Sequence, residues 1–221
     1  MNLNYNDKFR EFAEEYESTI QYYMCSDITC PECSYEKQIT IKVFNGDEID
    51  NDVIAFMYIN AYDIADIEND GDSVFYVMDG EDVDQGIAGH IMDSHLSKGE
   101  HDEILTELFE AGADDARLHA IYVKTVFVEP EFRKNGIGRF LWENYERILY
   151  HMGIMPIISS VAVKPQEWNG ENCNGNIEDP KMEKHMIDII KKNRFIDAEI
   201  ETAKVYYKML NVNSLLDDDI D

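Results

Sequence analysis

The chain has 221 residues, 44% of them hydrophobic, and a formal net charge of −27. That is enough apolar material for one sizeable core, which excludes a disordered or fibrous chain. A field so negative repels phosphate backbones, so direct nucleic-acid binding is excluded, short of an acidic DNA mimic that occupies a DNA-binding protein.

Residues 6–24 predict a helix, capped by Asn6 or Asp7, with Phe9, Phe12, Tyr16, Ile20 and Tyr23 at helical spacing. Cys25, Cys30 and Cys33 follow. The Cys30-Pro31-Glu32-Cys33 piece has the spacing of half a zinc knuckle. With Cys25 as a third ligand, Cys173 or a histidine would be needed to complete a tetrahedral site; plain reduced thiols are the expected reading, with zinc and then a redox pair as the alternatives. Four cysteines in a chain of this size do not suggest a disulfide scaffold.

Alternation of Ile39, Ile41 and Val43 predicts a first strand over 36–44. Residues 48–68 fit a helix through Ile49, Val53, Phe56, Met57, Ile64 and Ile67, although 53–59 alone passes as a strand. Strands are predicted over 74–78 and 86–92 as a hairpin, and a helix over 100–112. A long strand over 118–128 ends at Pro130, and a helix occupies 138–152. A strand over 155–163, a polar loop over 166–180 and a helix over 181–192 come next. Short strands at 198–200 and 204–209 precede an acidic tail over 211–221. No run of about 18 apolar residues and no secretory leader pattern is present. A soluble cytoplasmic protein without membrane association is expected.

Between the long strand and its helix stands Arg133-Lys134-Asn135-Gly136-Ile137-Gly138. A helix N-terminus leaves backbone N–H groups unpaired and carries the positive end of the helix dipole. Glycines allow close approach and positive φ. With Arg133, Lys134 and Arg139 beside it, such a turn suits a phosphate or diphosphate. It is neither a Walker loop nor a dinucleotide fingerprint.

The stretch Phe127-Val128-Glu129-Pro130-Glu131-Phe132-Arg133-Lys134-Asn135-Gly136-Ile137-Gly138-Arg139 resembles the coenzyme signature of the GNAT N-acetyltransferase superfamily. The resemblance implies an α/β fold with a bent, mixed, mostly antiparallel sheet flanked by helices. It assigns residues 36–210 to that domain, with 1–35 as a cysteine-containing helical extension. It also favours the helix over 48–68, since the family places helices between its first two strands. Acetyl-CoA is then the acetyl donor, and the strand ending at Val128 splays from its neighbour. The diphosphate would lie on Arg133, Lys134, Asn135, Gly136, Ile137, Gly138 and Arg139. Phe127 or Val128 would supply the donor to the thioester carbonyl, and Asn169 would touch the coenzyme arm. Gly136→Glu is expected to abolish coenzyme binding.

Two departures from the family stand out. Ile190 occupies the place of its tyrosine acid, and Tyr122 stands about where its glutamate base lies. Tyr206 or Tyr207 are the substitutes for the acid. Tyr122, His90 on the third strand and His119 on the fourth are the candidates for base chemistry. Period-two alternation puts Tyr122, Lys124, Val126 and Val128 on one face. The acidic surface points to a cationic amine as acceptor, a small molecule or a basic protein. The alternative is a catalytically weak acidic binder on the same scaffold, inhibiting a basic or nucleic-acid-binding partner.

Overall fold

The computed structural model describes residues 3–25, 35–46, 52–79, 83–96, 103–106, 117–168, 173–176 and 179–210, with backbone alone at Cys25, 166–168 and 173–176. In chain order the elements are α1 (Asp7–Tyr16), β1 (Thr19–Cys25), β2 (Glu36–Phe44), β3 (Val53–Asp63), α2 (Ile64–Asn69), α3 (Val74–Asp79) and α4 (Val83–His95). After them come β4 (Leu118–Val128), a 3-10 turn (Pro130–Phe132), α5 (Ile137–His151), β5 (Met155–Ala162), β6 (Gln166–Trp168), β7 (Cys173–Asn176), α6 (Pro180–Lys192), β8 (Ile196–Asp197) and β9 (Val205–Met209).

Seven strands form one sheet in the order β1-β2-β3-β4-β5-β9-β8, antiparallel throughout except for β4 with β5. One core joins the first face to α1, α5 and α6 through Phe9, Ile41, Met57, Val123, Phe140, Tyr145 and Ile190. A second core joins the other face to α2, α3 and α4 through Tyr62, Ile67, Met78, Met92, Tyr122 and Ile158. The mixed sheet flanked by helices is the architecture the resemblance implies. Among the described residues, no helix is long and apolar enough to cross a membrane.

Several predicted elements differ; the short strand expected at 198–200 falls instead at Ile196–Asp197, and the larger differences have physical reasons. The helix over 6–24 stops at Tyr16, because Glu17 turns left-handed at φ 48°. Thr19 to Tyr23 are then strong strand formers with an open edge to pair, and Ile20 and Tyr23 sit opposite Val43 and Thr40 on β2. Residues 19–25 therefore belong to the sheet rather than to a separate extension. Residues 53–63 are a strand, not a helix. β3 lies between two strands and is covered on both faces, so its apolar residues run nearly continuously and carry no period of two.

The hairpin expected at 74–78 and 86–92 is a helix pair. Gly86 and Gly89 blur the helical period, yet they are what lets α3 and α4 touch: a Cβ on Gly89 would lie 3.0 Å from the Phe75 Cα. Helices thus fall between the third and fourth strands instead of between the first two. Finally, the loop over 166–180 holds the two-stranded pair β6–β7 and the first residue of α6. The helix predicted over 100–112 is helical at 103–106, and the rest lies outside the described residues, as does the tail over 211–221.

Candidate active site

The site begins where two parallel strands part. β4 and β5 are paired from Leu118 with Met155 to Val123 with Val161, and Lys124 to Val128 have no partner on β5. Burial changes at the same residue: 118–123 are buried, Lys124 is exposed and 125–128 are half-buried. On the other side of β4, Thr125 opposes Tyr58 and Val123 opposes Ile59, so Lys124 is the extra residue of a bulge. An extra residue exchanges inward and outward faces beyond it. Ile121 and Val123 lie in the first core, and so do Val126 and Val128, whereas Tyr122 lies in the second. The single face expected for Tyr122, Val126 and Val128 is therefore split by the bulge. Phe127 instead faces the second side, stacked 5.3 Å from Phe56.

At the open end the turn is as tight as its sequence requires. Lys134 and Gly136 take φ values of 73° and 80°. Gly136 caps α5 without any side-chain hydrogen bond, and the first turn carries no acidic residue. The amides of Ile137, Gly138 and Arg139 thus have no acceptor within the helix. Arg133 folds back and donates from Nε to the Val128 carbonyl at 3.0 Å, and Arg139 donates to Glu143 Oε1 at 2.6 Å. A Cβ on Gly138 would meet only Val128 Cγ2, at 3.6 Å, so it would project into the notch beside β4. Bare amides, two guanidinium groups and a notch that a side chain would fill suit a diphosphate. A Cβ on Gly136 points elsewhere, 2.2 Å from Asn6 Oδ1.

On the second face the fork is lined by a cross-strand row: Asn60 opposes Tyr122, Tyr122 opposes Ser160, and Ser160 opposes Tyr207. Ser160 is fully buried, and its Oγ has no hydrogen-bond partner among the described residues. Tyr207 stacks on His95 of α4, with ring centroids 4.5 Å apart. Tyr206 lies in the first core, away from the row, which separates the two tyrosines the sequence left equal. The first turn of α4 closes over this face. Gln85 Nε2 donates to Tyr62 Oη at 2.7 Å, and buried Asp84 pairs with Lys164, just past the end of β5.

Asp84, Gln85 and Ser160 were not singled out from sequence. Asp84 fell in an expected hairpin loop, and its only signal was an acidic residue with an apolar neighbour. Ile190, in the place of the family's tyrosine, is buried in the first core.

The two candidate histidines, His90 and His119, sit apart from the cross-strand row. His90 is on α4, not on a strand, and is exposed beside Phe75. His119 lies at the closed end of β4, fully buried. Its Nδ1 contacts the Arg117 carbonyl at 2.8 Å and its Nε2 contacts Lys37 Nζ at 2.9 Å, which assigns Nδ1 as donor and Nε2 as acceptor. Burial first, then the Lys37 charge, lower its pKa from 6.5 to about 4. The folded state therefore binds fewer protons than the unfolded state between these values. His119 contributes stability above pH ~6.5 that is lost as pH falls towards ~4. The expected result is a stability–pH slope steeper in wild type than in His119→Gln by up to ~1.4 kcal/mol per pH unit in that window. Urea unfolding at several pH values measures it, and parallel slopes refute it.

Asn169, Cys30 and Cys33 lie outside the described residues, and Cys25 is the last residue of β1. Among the described residues, no group of three or more His, Cys, Asp and Glu is arranged to hold a metal.

Comparison with known proteins places these features in context. The model of the acetyltransferase (GNAT) family matches residues 19–168. No curated protein matches the sequence. Among solved structures, the chain is similar to Arabidopsis thaliana NAA60 in complex with acetyl-CoA, at 9% identity over 87% of this chain and 99% of that one, TM-score 0.45. It is similar to the KacTA–DNA complex at 10% identity over 91% and 100%, TM-score 0.41. It is also similar to Drosophila melanogaster polyamine N acetyltransferase, at 10% identity over 77% and 74%, TM-score 0.35.

Proposed function

The chain belongs to the acetyltransferase (GNAT) family, and on that premise we propose that it acetylates a primary amine carrying positive charge, a cationic small molecule or a basic protein. Acetyl-CoA, when bound, supplies the thioester carbonyl that the amine attacks. The amides and cations of Arg133 to Arg139 hold its diphosphate end. Lys124 to Val128, left unpaired by β5, line the gap that admits the arm.

One observation carries the acceptor class. A buried carboxylate, Asp84, stands over the fork and already holds an ammonium group, that of Lys164. A carboxylate there lowers the cost of bringing a second cation into a partly dry site. Asp84 orients the incoming ammonium and accepts its proton. As the new C–N bond forms the C–S bond breaks, and Tyr207 Oη, in register with Ser160 and Tyr122 at the same fork, gives a proton to the departing thiolate. The net charge of −27 adds a long-range attraction for cations.

The test is thiol release from acetyl-CoA with a panel of amines. A polyamine, an aminoglycoside-like amine and a lysine-rich peptide are expected to exceed neutral and acidic amines by about tenfold or more in kcat/KM. Faster turnover of acidic or neutral amines overturns the acceptor class. No thiol release with any amine turns the reading to the acidic binding protein.

A further inference from the structure

α1 lies outside the residues that the family model covers, yet it grips the coenzyme turn at three points. Phe12 packs edge-on against Phe132 before the turn, at 6.0 Å, and Phe9 packs on Phe140 after it, at 4.4 Å. In the middle, Asn6 does two things. Its Oδ1 accepts from Phe9 N at 3.1 Å and so caps α1, and its Nδ2 donates to the Gly136 carbonyl at 3.1 Å. The same carbonyl accepts from Phe140 N at 2.9 Å. The segment leading into α1 is tied down as well. Asn144, fully buried, accepts from Asn4 N at 2.6 Å and donates to Asn4 O at 3.0 Å.

A trans peptide is planar, and its C=O and N–H point in opposite directions. Holding the Gly136 oxygen towards α1 therefore aims the Ile137 N–H away from α1. Gly136, at φ 80° and with no room for a Cβ, is the residue that makes this contact available.

We propose that Asn6 is a positioning residue for coenzyme binding, one that fixes the direction of the Ile137 amide through the Gly136 carbonyl. α1 is thereby a working part of the coenzyme site and not an appendage to it. This rests on the reading of the turn as the diphosphate site.

Asn6→Ser and Asn6→Asp separate the two roles. Both keep an oxygen that caps α1 and lose the amide Nδ2 that reaches Gly136; the serine hydroxyl is engaged at the cap on a shorter side chain, and aspartate has no donor at all. Each is expected to weaken acetyl-CoA binding about tenfold by calorimetry, well below the melting temperature. The KM for acetyl-CoA rises with it, while the KM for the amine does not move. A merely structural role would lower the active fraction and leave both KM values alone. Circular dichroism checks that the helix content is kept. Gly138→Glu is the control for the turn itself. If wild type binds, Gly138→Glu does not, and the Asn6 variants bind within twofold of wild type, this proposal fails and the coenzyme reading stands. If wild type takes up no acetyl-CoA, or Gly138→Glu binds it as wild type does, the coenzyme reading fails and the positioning role falls with it.

Discussion

Gly138→Glu is expected to fold normally and to lose acetyl-CoA, whereas Gly136→Ala is expected to lose stability first. The two glycines are neighbours in one motif, and their missing side chains point at different things. Gly138 has an ordinary helical backbone, and a Cβ there would touch only Val128 Cγ2, at 3.6 Å. The Cβ of a glutamate at 138 is therefore accommodated in ordinary contact, and the side chain beyond it leads into the notch beside β4 and sets a carboxylate against a diphosphate. The loss is expected to be at least about a hundredfold in Kd, or roughly 2.7 kcal/mol. Gly136 sits at φ 80°, and a Cβ there would lie 2.2 Å from Asn6 Oδ1 and 3.0 Å from Phe9 N.

Alanine at 136 thus meets a left-handed backbone cost of about 1–2 kcal/mol, and it also pushes Asn6 out of its cap. A total near ~2–3 kcal/mol corresponds to a melting temperature lower by roughly 5–10 °C in a chain of this size. Thermal unfolding and calorimetry on both variants decide the matter. Gly138→Glu with a Kd within about threefold of wild type would place the coenzyme elsewhere. This also changes the meaning of Gly136→Glu. It acts by unseating α1 as much as by blocking the ligand.

The strand, turn and helix from Leu118 to His151 were legible because every signal there is local. A β-branched run, a proline, two glycines and an amphipathic stretch follow one another within one segment of chain. What was missed depends on partners far along the chain. β3 reads as either helix or strand because its neighbours on both sides and the helices on both faces cover it. The glycines of α4 look like turn residues until α3 is set against them. The bulge at Lys124 is a property of the register between β3 and β4, and neither strand carries it alone. For the same reason alternation along β4 placed Tyr122 correctly against its near neighbours and wrongly against Val126 and Val128. The proposed coenzyme turn is one contiguous stretch, so its candidate residues can be named one by one from the sequence. The proposed acceptor side is assembled from β3, α4, β5 and β9, so the cluster emerges only when Asp84 comes to lie beside Lys164 and Ser160 beside Tyr207.

Asp84→Asn is expected to discriminate between acceptors by charge. The substitution keeps the shape and removes the negative charge that faces Lys164. The Lys164 side chain is 36% exposed, against 11% for Asp84, so it turns to solvent without a large penalty and the fold is kept. A cationic amine, by contrast, would enter a buried site with no counter-charge. Its kcat/KM is expected to fall about a hundredfold, roughly 2–3 kcal/mol of transition-state stabilisation. A neutral amine loses the proton acceptor alone and falls less, by about tenfold. The Kd for acetyl-CoA stays within about twofold, because the turn at 133–139 is on another element.

Lys164→Met provides the converse. If the lysine competes with the substrate ammonium for Asp84, its removal lowers the KM for cationic amines and leaves that for neutral ones unchanged. Equal losses for cationic and neutral amines in Asp84→Asn, with no change of KM in Lys164→Met, would reduce the pair to a clasp between α4 and β5. The acceptor's charge would then be read by the long-range field or by residues outside the fork.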